Sequence, residues 1–242
     1  MNVIGVIPAR FESSRFPGKV LANIAGRTMV QWVWEAASKS TMLEDLIIAT
    51  DDERVIKAAE TFGGKAVLTS RDYRSGTDRI CEVVNPLDVK VVVNIQADEP
   101  LIKAGMIDEL ARVLLEDDSI QVATLKYKIE DSDELNDPNI VKVVSDKDDF
   151  ALYFSRSLIP CNLSSTAQQV YKHIGMYAYT KDFLFTFANL TPSFLEQAEQ
   201  LEQLRVLEHG HKIKVIDAGC DSISVDTPRD LEKVKGKLNA AS

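Results

Sequence analysis

Three cations, Arg10, Arg15 and Lys19, crowd the segment Pro8-Ala9-Arg10-Phe11-Glu12-Ser13-Ser14-Arg15-Phe16-Pro17-Gly18-Lys19, which leaves an apolar run near the start of the chain. Small Ala9, Ser13, Ser14 and Gly18 would let backbone N–H groups approach an anion closely. The combination points to a phosphate cradle, with a solvated basic loop as the plain alternative. Asn94-Ile95-Gln96-Ala97-Asp98-Glu99-Pro100 closes another apolar run with two carboxylates. An acid at such a strand end suits Mg²⁺, which takes one or two carboxylates together with phosphate oxygens and water; a polar turn would look similar. Val225-Asp226-Thr227-Pro228 places a further acid just before a helix-start signal, where N-capping alone would account for it. Convergence of Asp98 and Asp226 would make a metal-assisted phosphoryl site. Ser75-Gly76-Thr77-Asp78-Arg79 also opens a helical run, with Thr77 or Asp78 as its predicted cap. Lys172 to Tyr179 alternates in the strand manner and puts His173, Gly175, Tyr177 and Tyr179 on one face, fit for a sugar pocket or a subunit contact. Neither Gly-x-Gly-x-x-Gly nor Gly-x-x-x-x-Gly-Lys-[Ser/Thr] occurs, and no Ser-His-Asp or Cys-His nucleophile stands out.

These groups need strand ends and helix starts to hold them. Apolar, β-branched runs at 2–7, 45–50 and 91–96 read as buried strands, and helical patterns at 28–39, 52–62 and 77–84 lie between them. That alternation predicts right-handed βαβ crossovers and a Rossmann-like, mostly parallel sheet flanked by helices. In such sheets ligands gather at the carboxyl ends of the strands. After a helix at 104–116 the chain turns β-rich, with strands at 121–129, 140–145, 151–155 and 174–180. Helices at 181–189 and 193–209, a strand at 212–217 and a last helix from 228 close it. No low-complexity linker divides the chain, so residues 1–242 read as a single α/β domain: about 1–120 for a nucleotide and about 121–215 for a second substrate and dimerisation.

Composition narrows the partners. Lys and Arg number 28 against 37 Asp and Glu, for a formal charge of −9. That disfavours non-specific binding to nucleic acid or anionic lipid, and any polyanion must be met by a local basic cluster or by carboxylate-held metal. No apolar run approaches the ~20 residues of a bilayer span. The N-terminal residues lack the features of a signal peptide, so a cytoplasmic location is expected. Cys81, Cys161 and Cys220 are far apart and read as reduced, packed thiols.

Eight collinear strings together resemble the 3-deoxy-manno-octulosonate (Kdo) cytidylyltransferases. They are Pro8-Ala9-Arg10 with Pro17-Gly18-Lys19, Ala49-Thr50-Asp51-Asp52, Ser75-Gly76-Thr77-Asp78-Arg79, Gln96-Ala97-Asp98-Glu99-Pro100, Ala151-Leu152-Tyr153-Phe154-Ser155-Arg156, Lys172-His173-Ile174-Gly175, Leu201-Glu202-Gln203-Leu204-Arg205 and Val225-Asp226-Thr227-Pro228. The resemblance spans essentially the whole chain. It implies that CTP and Kdo give CMP-Kdo and pyrophosphate, an activation step for lipopolysaccharide synthesis, and that the protein is a homodimer using Mg²⁺. Carried over residue by residue, Arg10 and Lys19 hold the triphosphate with Ser13 and Arg15, while Ala9, Ser75, Gly76 and Thr77 wall the cytosine. Asp98 and Asp226 are the implied metal ligands. Gln96, Arg156, His173, Tyr177, Glu202 and Gln203 are the implied sugar-acid contacts, with Arg156 suited to the carboxylate. Two departures from the family pattern stand out, the first beside the nucleotide, where an added methyl would shift backbone approach or Asp98, and the second bearing on substrate choice. Ala97 stands where the family commonly has Gly, and Cys161-Asn162-Leu163-Ser164-Ser165 replaces a bulky or charged segment near the distal end of the sugar. An 8-amino analogue of Kdo, another sugar acid such as sialic acid, and a non-catalytic nucleotide-binding role are the competing readings.

Overall fold

The computed structural model describes residues 1–12, 16–73, 75–161 and 169–240. Along the described chain the strands are β1 (Val3–Ala9), β2 (Asn23–Ile24), β3 (Arg27–Thr28), β4 (Asp45–Thr50), β5 (Ala66–Leu68), β6 (Val91–Asn94), β7 (Val122–Lys128), β8 (Lys142–Ser145), β9 (Ala151–Ser155), β10 (Tyr171–Thr180) and β11 (Lys214–Asp217). The helices are α1 (Met29–Ala37), α2 (Glu53–Thr61), α3 (Gly76–Val84), α4 (Ala104–Glu116), α5 (Ser132–Leu135), α6 (Lys181–Asn189), α7 (Phe194–Glu199), α8 (Gln203–Glu208) and α9 (Pro228–Ala240).

The main sheet runs β5-β4-β1-β6-β10-β7-β11. β5, β4, β1 and β6 are parallel, and their apolar sequences follow from burial on both faces. α1, α2 and α4 cover one face; α3, α6 and α8 cover the other. The chain leaves β1 toward β4 and β5, then returns to β6 on the opposite side of β1. That reversal opens a crevice at the carboxyl ends of β1 and β6. β10 inserts antiparallel between β6 and β7, with a register shift between Ile174 and Tyr177. β8 and β9 extend from the start of β10 as the β-rich excursion.

The structure departs from the sequence reading at several points. The predicted helix at 193–209 is two helices, broken at Gln200, which takes a left-handed conformation (φ 55°). Residues 132–135, in the polar stretch between the strands predicted at 121–129 and 140–145, form α5 because the Asp131 side chain accepts from the Asp133 N–H. The β2–β3 hairpin was not foreseen: its turn, Ala25-Gly26, has positive φ at both residues, and Ala is not the usual choice there. The cap of α3 is Ser75, rather than Thr77 or Asp78.

Candidate active site

The loop after β1 is fixed at its described ends. Thr50 Oγ1 donates to Ala9 O (2.7 Å), Phe11 N–H to Asp51 Oδ1 (3.1 Å) and Gly18 N–H to Phe11 O (3.0 Å). Gly18 has φ +69° as it starts the short 3-10 turn Lys19–Leu21, a conformation that favours glycine. Under the loop lies Arg79, fully buried, with Nη2 3.1 Å from Asp51 Oδ2 and Nη1 bonded to Thr69 Oγ1 and, at 3.3 Å, to Ser70 O. Arg79 is therefore the internal strut of the Ser75–Arg79 string, while Ser75 serves the helix: its hydroxyl accepts from Asp78 N–H (3.1 Å) and donates to Asp78 Oδ2 (2.8 Å). Gly76 keeps α3 close to Pro8, whose Cγ would lie 3.4 Å from an added Cβ.

The two acids read as metal ligands converge. Lys19 Nζ lies 2.5 Å from Asp98 Oδ2 and 3.0 Å from Asp226 Oδ1, and also donates to Val225 O (3.2 Å). Lys19, read as a triphosphate partner, thus has its ammonium seated between the carboxylates. Burial pulls its pKa down, but Asp98 and then Asp226 outweigh that and leave it raised, so Lys19 is a cation. Asp226 reaches this point because α9 and the preceding segment pack Val225, Leu231 and Val234 against Ile24 and Met29. Val225 N–H also donates to Asp98 O (2.8 Å). Two carboxylates already gathered on one cation form a donor set that fits Mg²⁺, with substrate phosphate completing the sphere.

Two cavities flank Asp98. The smaller, about 210 Å³, is walled by Arg10, Lys19, Gln96, Ala97 and Asp98 among others. The larger, about 1140 Å³, includes Gln96, Asp98, Thr77, Arg156, His173, Gly175, Tyr177, Glu202, Gln203 and Asp226. Gln96 and Asp98 belong to both. Ala97 packs into the core beside β6 as well as forming part of the smaller wall. Ala9 is buried in the core. Ser13 and Arg15 lie outside the described residues, as does most of the 161–165 string; Cys161 is exposed.

The larger cavity has an aromatic floor. His173 contacts Phe154 edge-on and Tyr177 (centroids 5.1 and 5.4 Å apart), and Tyr177 stacks on Tyr179. This face of β10 is covered by the chain's own helices, Tyr179 stacking on Phe187 of α6, rather than offered to a second subunit. Thr124 Oγ1 lies 2.8 Å from Met176 O and 2.9 Å from His173 Nε2. With the Thr124 hydroxyl donating to Met176 O, the network assigns the His173 proton to Nε2. Burial lowers the His173 pKa to about 3, so the ring is neutral. The Tyr177 hydroxyl is buried beside the Thr124 side chain. Glu202 accepts from Thr77 Oγ1 (3.2 Å); burial raises its pKa against the pull of Arg205 and Thr77. Arg205 pairs chiefly with Glu196, not with Glu202 (3.9 Å). Arg156 gives Nε to Glu199 O (2.7 Å), Nη1 to Pro138 O (2.9 Å) and Nη2 to Gln200 O (3.4 Å), leaving two of its five N–H donors for a ligand.

One acid beside this machinery had no assigned role. Glu99 is buried, accepts from Ser222 Oγ (2.9 Å) and from the Gly175 N–H, and so ties the Asp226 segment to β10. Burial, then Asp98, pushes its carboxyl up to about 7. Only its place in the Gln96–Pro100 string hinted at this.

A cytidylyltransferase family model matches residues 4–213. A "3-deoxy-manno-octulosonate cytidylyltransferase" of Geotalea uraniireducens is 48% identical, over 98% of this chain and 99% of the relative. The chain belongs to the 3-deoxy-manno-octulosonate cytidylyltransferase family. An "8-amino-3,8-dideoxy-manno-octulosonate cytidylyltransferase" of Shewanella sp. (strain ANA-3) is 50% identical, over 98% of this chain and 99% of the relative. A solved CMP:2-keto-3-deoxy-manno-octonic acid synthetase complexed with CTP superposes with a TM-score of 0.94 at 40% identity, covering 100% of both chains. Family membership and this fold match place the α/β sheet with its antiparallel β10 among the nucleotidyltransferases.

Proposed function

We propose that the protein transfers CMP from CTP to the anomeric hydroxyl of a 3-deoxy-octulosonate, releasing pyrophosphate. The observation that carries this is the position of Asp98: it stands where two cavities meet, opposite Asp226, at the crevice between β1 and β6. An in-line displacement at the α-phosphorus needs its nucleophile and leaving group on opposite sides of one charged point. Arg10 and the loop after β1 take the triphosphate on the side of the smaller cavity. Lys19 neutralises charge between the acids and the phosphates. Asp98 and Asp226 would hold Mg²⁺, which supplies Lewis-acid neutralisation of the phosphoryl oxygens. Across Asp98, Arg156 takes the sugar carboxylate with its remaining donors, and neutral His173 and the Tyr177 hydroxyl take sugar hydroxyls. Gln96, Glu202 and Gln203 complete that wall; Ser75, Gly76 and Thr77 are proposed for the base on the family resemblance, although Thr77 lines the larger cavity beside Glu202.

The test is pyrophosphate release from CTP with Mg²⁺ and, separately, Kdo, its 8-amino analogue and sialic acid. Release with Kdo is expected. Release only with the 8-amino sugar would move the assignment to that substrate, which the 50% identity to the Shewanella relative makes the second reading; no release with any acid would favour a binding role. No described helix is long and apolar enough to cross a membrane. Exposed Leu152 (62%) on β9, which pairs with no named strand other than β8 among the described residues, and exposed Phe194 (78%) support a homodimer built on the β-rich side. Light scattering would give twice the chain mass; a monomer would overturn that part.

A further inference from the structure

Lys142 of β8 is fully buried and borders neither cavity. Its ammonium donates to two main-chain carbonyls, Asp137 O (2.7 Å) and Arg156 O (3.3 Å). Pro138 O, one residue beyond the first of these, accepts from Arg156 Nη1 at 2.9 Å. The three bonds close a ring: Lys142 to Asp137, Pro138 to the Arg156 guanidinium, and the Arg156 main chain back to Lys142. Asp137, Asn139 and Arg156 form wall of the larger cavity, so the ring is the backing of that wall.

A lysine is rarely fully buried unless paired, and here no carboxylate hydrogen-bonds the ammonium among the described contacts. Burial accordingly drives its pKa down, opposed by the more distant charges of Asp137 and Glu134. An apolar side chain of similar length would fill the space without that desolvation. What it could not do is hold two carbonyls at one point.

We propose that Lys142 is a positioning residue for the second substrate: it fixes the Asp137–Pro138 turn and the Arg156 main chain so that the guanidinium meets the sugar carboxylate in a single pose. The inference rests on the reading of Arg156 as the carboxylate contact. Lys142 acts through Arg156 and does not touch substrate.

The test compares Lys142→Met, Arg156→Ala and the double variant by steady-state kinetics with CTP and Kdo. Lys142→Met is expected to raise KM for the sugar acid about tenfold, as losing charge-assisted hydrogen bonds does, with kcat and KM for CTP within about twofold. Arg156→Ala should raise the same KM at least as much. The double variant should be no worse than Arg156→Ala alone, because Lys142 has nothing left to position. Additive losses, or equal losses toward both substrates, would overturn the inference and make Lys142 a general stabiliser. An unchanged sugar KM in Arg156→Ala would instead overturn the reading of Arg156 itself. Should Lys142→Met fail to fold, Lys142→Gln, whose amide is too short to span both carbonyls, takes its place with the same split expected.

Discussion

Asp51→Ala removes the only carboxylate seen bonded to the guanidinium of buried Arg79 among the described residues. The pair is 3.1 Å apart, and Coulomb's law at an effective dielectric of 20 gives about 5 kcal/mol for that separation. Desolvation has already been met by Arg79 in the native state, since burial lowers its pKa even with Asp51 present. Deleting the partner leaves a buried charge with Thr69 Oγ1 and Ser70 O as acceptors and an Nε that has none. The expected cost is about 3–5 kcal/mol, a large share of the ~5–15 kcal/mol that folds an ordinary domain. Urea unfolding followed by the fluorescence of Trp32 and Trp34, the two tryptophans of the chain, would show the midpoint falling by roughly 1–2 M at slopes near ~3 kcal/mol/M. Asp51→Asn keeps an acceptor for the Phe11 N–H and separates the two roles: it should lose the stability but little of the affinity for CTP. Asp51→Ala should lose both, with KM for CTP rising about three- to tenfold for the missing loop anchor. Adding Arg79→Met should restore part of the stability, because the orphaned charge goes with it. A loss below about 1 kcal/mol in Asp51→Ala, or a double variant whose cost is the sum of the singles, would refute the buried-strut reasoning.

Asp98→Asn should cut turnover at least about a hundredfold, since it removes half of the charge gathered opposite Lys19, while the urea midpoint stays within about 0.5 M; wild-type turnover at saturating Mg²⁺ would sink the metal assignment. His173 is neutral when folded, with a pKa of about 3 against an ordinary 6.5. The unfolded chain therefore binds the extra proton between those values, and its contribution to stability, present above pH 6.5, is lost as pH falls, by at most about 1.4 kcal/mol per pH unit. His173→Gln should flatten that slope in unfolding measured at pH 4.5 and 6.5. Gly5→Ala would place a methyl 2.7 Å from Leu46 Cδ1 and 2.8 Å from Leu43 Cδ1 in the central strand. Thermal unfolding should show about 1–2 kcal/mol of destabilisation, with kcat unchanged.

What the chain discloses about itself depends on how local the cause is. The strands at 45–50 and 151–155 and the helices at 104–116 and 181–189 emerge with their bounds intact, because their apolar patterns are written in consecutive residues. The break at Gln200 is not local: Arg205 folds back onto Glu196 and the first turn ends early, a choice made by two side chains across the break. The antiparallel insertion of β10 had no sequence signal, since a strand pattern does not name its neighbours. At the site, Asp98 and Asp226 could each be singled out by position before or after an apolar element. Their meeting at Lys19 depends on α9 packing against a hairpin whose Ala-Gly turn gave no warning. Arg79 shows the opposite failure: it stands in a string that reads as ligand-binding, yet its guanidinium never reaches a cavity. Only burial distinguishes the strut from the contact.

The place of β10 in the sheet has a consequence for synthesis. Asn94 of β6 pairs with Tyr177, so the open side of β6 waits for a strand encoded far downstream. At translation rates of ~5–20 residues per second that interval lasts on the order of 4–16 s. During it a nascent β5-β4-β1-β6 layer would present a valine-rich, unpaired edge to other chains. The half built on β1, β4, β5 and β6 is thus translated first but its edge is closed only by β10, and slow emergence of residues 171–180 should leave the polypeptide dependent on chaperones, whereas its finished form has that edge closed.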